Sequence, residues 1–88
     1  MVNLGETIKQ ERKRKKFSQP QLAKLLDVSN GIISQWENNV VEPKATYIKR
    51  LAIVFEVSCD YLLGLENEDG TKRYNIQFRD NNGNINFY

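Results

Sequence analysis

Only three residues, Asp27-Val28-Ser29, separate two amphipathic segments, and that brevity constrains the fold more than any other feature. Upstream, Leu22 and Leu26 recur at helical spacing with small Ala23 between them; downstream, Ile33 and Trp36 stand at i and i+3. Ser18 followed by Gln21 gives the S-x-x-Q capping signal of the first helix, over residues 19–26. Pro20 falls in its first turn, where no amide donor is needed. Ser29 is the N-cap of the second helix, which starts near Asn30 and ends near Asn38. Helices joined by so short a turn cannot pack antiparallel. They cross steeply, with Ala23 permitting close approach and Val28 sealing the crossing. Ser29, Asn30, Ser34 and Gln35 are then left on the outer side, a short polar face without charge. Amide side chains on such a face suit paired donor–acceptor contacts with base edges in a major groove.

The rest of the chain supplies three more helices and a strand-like tail. Asn3 with Glu6 opens a first helix, whose apolar contacts are Leu4 and Ile8, joined by Phe17 just beyond its end. Asn38-Asn39 is the C-terminal stop of the third helix, since Asn tolerates the left-handed conformation. Pro43 opens a fourth helix with Ile48, Leu51, Ala52 and Phe55 on one stripe and Ile53 off it. Ser58 caps a last turn, Cys59 to Leu63, stopped by Gly64. Residues 65–72, acidic and containing Gly70, read as a linker. Tyr74, Ile76 and Phe78 alternate with period two, Asp80-Asn81-Asn82-Gly83 is a turn signal, and Ile85 and Phe87 resume the alternation. The expected fold is therefore all-α: a compact five-helix domain over residues 1–64, a linker, and a short β-hairpin over residues 73–88. A lone hairpin is marginal in water. It is expected to pack on the helices, to pair with a second copy of itself, or to fold on another protein.

Composition narrows the function classes. With 88 residues the chain is one small domain and an appendage. Thirteen cations against eleven carboxylates give a net charge of +2, which permits nucleic-acid binding without demanding it. The run in residues 12–16 reads as a solvated helix terminus, where the macrodipole favours cations, or as part of a phosphate-binding surface. There is no histidine and a single cysteine, Cys59, so the usual general base, an intrachain disulfide and a multi-cysteine zinc site are excluded. No enzyme, cofactor or metal is expected. The longest apolar run, residues 51–55, is far too short for a membrane span, and no apolar signal segment precedes the first helix, so a cytoplasmic protein is expected.

The stretch FSQPQLAKLLDVSNGIISQWENNVVEPKATYIKRLAIVFEVSCDYLLGL resembles the Cro/repressor-type (Xre-type) helix-turn-helix family. The markers are SQxxLA, the VS turn, IxxWEN, the proline, the LA of helix 4 and the terminal YLL, and the likeness runs over residues 4–65. It implies a lambda-repressor-like domain that binds double-stranded operator DNA as a homodimer and represses transcription. It implies that Gln19 contacts a phosphate, and that Ser29, Asn30, Gly31, Ser34 and Gln35 form the face in the major groove. Asn38, Asn39 and Lys44 follow the phosphate backbone. Arg12 and Glu37 form a structural ion pair between helices 1 and 3, with DNA contact the other reading of Arg12.

The sequence departs from the family pattern at four places. Glu11 stands at an apolar position, so helix 1 is expected to pack loosely. Lys16 and Asp27 replace glycines at positions expected to be left-handed, where Asp is tolerated better than Lys. Gly31 costs about 1 kcal/mol of helix propensity and removes a base-reading side chain. Ile32 either projects toward a thymine methyl or packs under Trp36. Trp36 and Tyr61 are expected to pack in the interior and Cys59 to be partly buried. Ile53, Tyr74, Ile76, Phe78, Ile85 and Phe87 are the candidate dimer residues. The competing function class is an antitoxin or another protein-interaction module whose tail captures a second protein.

Overall fold

The computed structural model describes residues 3–73, 77–79 and 85–87. Short polar side chains start four of its five helices. Asn3 Oδ1 accepts from the Glu6 N–H at the head of α1 (Leu4–Arg14). Ser18 and Gln21 close a full reciprocal capping box on α2 (Gln19–Leu26). Ser29 Oγ accepts from the Ile32 N–H on α3 (Asn30–Glu37). The fourth helix, α4 (Ala45–Phe55), lacks a side-chain cap: Lys44 is its N-cap residue, so Pro43 lies before the helix rather than opening it. Ser58 caps α5 (Cys59–Leu62).

Four of the helix exits turn through left-handed residues where glycine would be free of strain. Lys16 (φ 62) and Asp27 (φ 56) adopt the conformation expected of them. Glu56 (φ 58) does so as well, at the end of α4. For a lysine or glutamate this costs roughly 1–2 kcal/mol. Asn39 (φ 58) bears it more lightly, as a short polar side chain can bond locally.

One interior serves all five helices. Ile8, Leu22, Leu26, Ile33, Trp36, Leu51, Phe55 and Leu62 are buried in a single cluster, and Ala23 and Ala52 let the helices approach. Tyr47 leans on Trp36, with ring centroids 5.5 Å apart, and the Arg50 guanidinium lies 5.7 Å from the Tyr47 ring. Ile53 is 76% exposed, as its place off the α4 stripe requires.

Helix α1 packs tightly, contrary to the expectation drawn from Glu11. Gly5, Thr7, Ile8 and Glu11 are all buried. Glu11 is drawn inside, 1% exposed, with Tyr61 Oη and an Arg14 nitrogen each 3.4 Å from Oε2. Its Oε1 is buried with no hydrogen-bond partner among the described residues. At the other end of α1, a Cβ on Gly5 would lie 2.5 Å from the Trp36 carbonyl oxygen and 2.6 Å from that of Glu37. Only glycine lets the N-terminus of α1 close onto the last carbonyls of α3, opposite poles of two helix dipoles.

The segment expected to be a linker carries its own hydrogen-bonded turn. Glu66 and Lys72 form an antiparallel bridge, the Asn67 N–H donates to Thr71 O at 2.7 Å, and the Arg73 N–H returns to Leu65 O at 3.0 Å. Gly70, at φ 88, makes the reversal. Beyond it, β1 (Gln77–Arg79) pairs antiparallel with β2 (Ile85–Phe87) in the register Gln77↔Phe87, Phe78↔Asn86, Arg79↔Ile85. Each apolar residue thus stands across from a polar one. Tyr74, Ile76 and the 80–83 turn signal lie outside the described residues. No helix among the described residues is long and apolar enough to cross a membrane.

Candidate nucleic-acid interface

Helix α3 is held from behind and open in front. Ile33 and Trp36 are buried in the common interior, and Val28 is half-buried at the crossing with α2. On the other side Asn30, Gly31, Gln35 and Asn38 are exposed and Ser34 is half-buried. These positions recur at three- and four-residue intervals, so they form one ridge. Along it Asn38 Nδ2 donates to Ser34 Oγ at 3.3 Å. Nothing lies within 4 Å of the place where a Gly31 side chain would begin. Ile32 is half-buried and packs against the core cluster, beside the ridge rather than on it. Ser29 is exposed, but its hydroxyl oxygen serves the N-cap of α3.

A buried carboxylate fixes the helix at its base. Glu37 accepts from Arg12 Nε at 2.6 Å on one oxygen, and from a terminal Arg12 nitrogen and Gln19 Nε2, both at 3.1 Å, on the other. Arg12 also donates to the Phe17 carbonyl at 2.9 Å. The side chains of Arg12 and Glu37 are 11% and 2% exposed. One carboxylate therefore joins α1, α2 and α3, with bidentate, charge-assisted bonds that limit the cost of its burial.

Two residues implied to touch the DNA backbone have partners inside the chain. Gln19 gives an amide N–H to Glu37, which draws its side chain toward the base of α3. Asn39 accepts from the Gly5 N–H and donates to Asn3 Oδ1, both at 3.1 Å, and so sews the α3–α4 loop to the start of α1. Lys44 is exposed and forms no ion pair among the described residues.

The basic run of α1 is largely neutralised within the domain. Arg12 is paired with Glu37, Arg14 with Glu68 and Glu11, and Lys15 with Glu56 at 2.8 Å. The Lys15 bond holds the Glu56 carboxyl below the usual range. Local spacing could not have revealed the Gly5–α3 contact, the Asn3–Asn39 link or the Tyr47–Trp36 contact, because each joins distant segments. The left-handed Asn39 was the only hint.

A family model described as helix-turn-helix matches residues 8–62. Repressor protein C2 of Salmonella phage P22 is 42% identical over 60 residues, which is 68% of this chain and 28% of that protein. The chain thus matches less than a third of the phage repressor. The crystal structure of the P22 c2 repressor with synthetic operator 9T is similar at a TM-score of 0.68 and 40% identity, covering 72% of this chain and 96% of that one. The SinR protein/SinI protein complex is similar at a TM-score of 0.64 and 33% identity, covering 68% of this chain and 59% of that one. With five helices around one core, a three-residue turn before α3 and a matched segment spanning more than half its length, this chain belongs to the helix-turn-helix family, in its Cro/repressor (Xre) type.

Proposed function

We propose that the chain is a cytoplasmic, sequence-specific double-stranded DNA-binding regulator, a repressor that binds a two-fold operator as a dimer with α3 in the major groove. The observation that carries this reading is the free, uncharged amide and hydroxyl ridge of α3, backed by a fully anchored opposite side. Asn30 and Gln35 read base edges, with Ser34 between them. Ile32 lends its exposed flank to a thymine methyl. Lys44, Asn38 and the Ser29 hydroxyl serve phosphates, while Gln19 and Asn39 act chiefly by holding α3 and its following loop. Support comes from the operator-bound P22 repressor, a relative of the same fold.

The test begins with duplexes selected from a random pool. Gln35→Ala should weaken the selected duplex by about 1–3 kcal/mol and relax preference at one position of each half-site. Lys44→Ala should weaken all sequences alike and flatten the salt dependence. Equal losses on selected and scrambled duplexes for Gln35→Ala would sink the readout role.

A second reading has the C-terminal residues engaging another protein, as an antitoxin or partner-controlled regulator does. The SinR–SinI complex, formed by a similar protein, favours it. Co-purification of a second protein with the 88-residue chain, lost when the chain stops at Gly64, would support it over self-association.

A further inference from the structure

The head of α3 carries a reactive pair. Asn30 is the first residue of the helix and Gly31 follows it directly. The chain's other Asn-Gly pair, Asn82-Gly83, lies outside the described residues. An Asn side chain is a carboxamide that the backbone nitrogen of the next residue can attack, closing a five-membered ring. Helices normally prevent this by engaging that nitrogen in a hydrogen bond, and a following Cβ crowds the approach. Neither barrier stands here. The Gly31 N–H lies in the first turn, where helices leave amides unpaired, and it has no acceptor among the described residues. Gly31 has no Cβ, and nothing lies within 4 Å of where one would be. The Asn30 side chain is exposed and forms no hydrogen bond among the described residues. What remains is the helical backbone itself, which keeps the two reacting atoms apart until this turn frays. The turn is closed by the Ile32 N–H, shared between Ser29 O at 3.1 Å and Ser29 Oγ at 3.3 Å, and glycine weakens it.

We propose that Asn30-Gly31 is a site of self-modification, at which the unbound protein converts the Asn30 carboxamide to a carboxylate and so erases its own operator binding. This rests on the DNA-binding reading above. In the first step the Gly31 nitrogen gives its proton to solvent base and bonds to the Asn30 side-chain carbonyl carbon. The carboxamide C–N bond breaks, and its nitrogen takes a proton from solvent and leaves as ammonia. The product is a succinimide. In the second step water adds to one of the two ring carbonyls and the ring C–N bond breaks. One carbonyl yields an aspartyl residue; the other yields an isoaspartyl residue, whose main chain is one carbon longer. The aspartyl product has lost the amide donor, so a paired donor–acceptor contact with a base edge fails. Its charge also faces the phosphates. The interior behind α3 is untouched, because Ile33 and Trp36 hold it there. A negative charge at a helix N-terminus is favourable in itself. The fold is therefore kept while the reading face changes. Seated in a groove, the first turn has no room to fray, so a bound copy is spared and a free copy ages.

The experiment ages the 88-residue chain, folded and free of DNA, at neutral and mildly alkaline pH, and follows the tryptic peptide of residues 25–44 by mass spectrometry. Each conversion adds one mass unit, and fragmentation separates Asn30 from Asn38 and Asn39 in the same peptide. Asn30 should convert ahead of both, and faster as pH rises. Gly31→Ala should slow it at least about fivefold, through the helix propensity gained. Ser29→Ala should speed it about fivefold, through the cap lost. Urea kept well below the unfolding transition should leave the rate unchanged, since the opening is local. Selected duplex should protect Asn30, and scrambled duplex at the same concentration should not. The aged fraction, and Asn30→Asp, should bind the selected duplex about tenfold or more weakly at an unchanged melting temperature. Asn30 converting no faster than Asn38 and Asn39, or only as the whole domain unfolds, overturns the site. Conversion that leaves operator affinity intact overturns its regulatory role. Fresh wild type that never prefers selected over scrambled duplex removes the DNA-binding reading itself, whatever the chemistry at Asn30.

Discussion

Two buried carboxylates in this domain have the same chemistry and nearly the same exposure, yet opposite surroundings. Glu37 receives three hydrogen bonds, two of them from one guanidinium, and joins three helices beneath the polar ridge. Glu11 has two partners at 3.4 Å and one oxygen with none among the described residues. Burial alone therefore says little about what a charge does. A buried carboxylate stabilises a fold when its lone pairs are met at bonding distance, and costs stability when they are not.

The contrast can be broken at its strong end first. Arg12→Met leaves Glu37 buried without its cation, and urea unfolding should show a loss of about 3–5 kcal/mol. A loss below about 1 kcal/mol would mean that Gln19 and water suffice. Next, Gly5→Ala attacks the same α1–α3 joint without touching charge. Its methyl would meet backbone carbonyls, which cannot swing aside as side chains do, so a loss of about 3 kcal/mol is expected in the same assay. At the weak end, Glu11→Leu should stabilise the domain by about 1–2 kcal/mol, read as a higher melting temperature. A destabilised Glu11→Leu protein would show that the Tyr61 and Arg14 contacts outweigh the unmet oxygen.

The smallest effect concerns the solvent-facing turn of residues 65–73. Lys72 and Ser58 hold the Glu66 carboxyl below its ordinary 4.5, and Glu66 and Asp60 raise the Lys72 ammonium above its ordinary 10.5. A lowered carboxyl contributes above its unfolded value and loses that contribution as pH falls through the folded one. A raised ammonium contributes below its unfolded value and loses it as pH rises. The ion pairs around Lys72 should therefore be complete between about pH 5 and about pH 10 and weaken outside that window. Side-chain and amide resonances of residues 65–73 should shift below the acid edge and beyond the alkaline edge of that window while those of Ile33 and Leu51 stay put.

Local chemistry was the legible part of this chain. Ser18, Ser29 and Ser58 announce helix starts because a cap acts within three residues, and the α4 stripe announces Ile53 because helical spacing leaves it outside. Pro43 misplaced a boundary by two residues, since the N-cap role fell to Lys44. The remainder was hidden by distance along the chain. Gly5 is explained only by carbonyls more than thirty residues away. Asn39 looked like a simple stop signal and proved to be a two-sided link. Residues 65–72 looked like solvated spacer because their ties run to Arg14, Ser58 and Asp60. Within the site, the exposure of Asn30 and Gln35 followed from the crossing of α2 and α3, whereas the pull of Glu37 on Gln19 did not.

The bare position at Gly31 has an evolutionary consequence. A Cβ placed there starts in open space, and alanine would add about 1 kcal/mol of helix propensity, with most other residues other than proline adding less. Changes of target preference usually trade against robustness; on the repressor reading, an exchange at this position alters the groove-facing ridge while the helix grows sturdier. On that reading this slot is the natural entry point for diversifying a set of mutually insulated regulators from one parent.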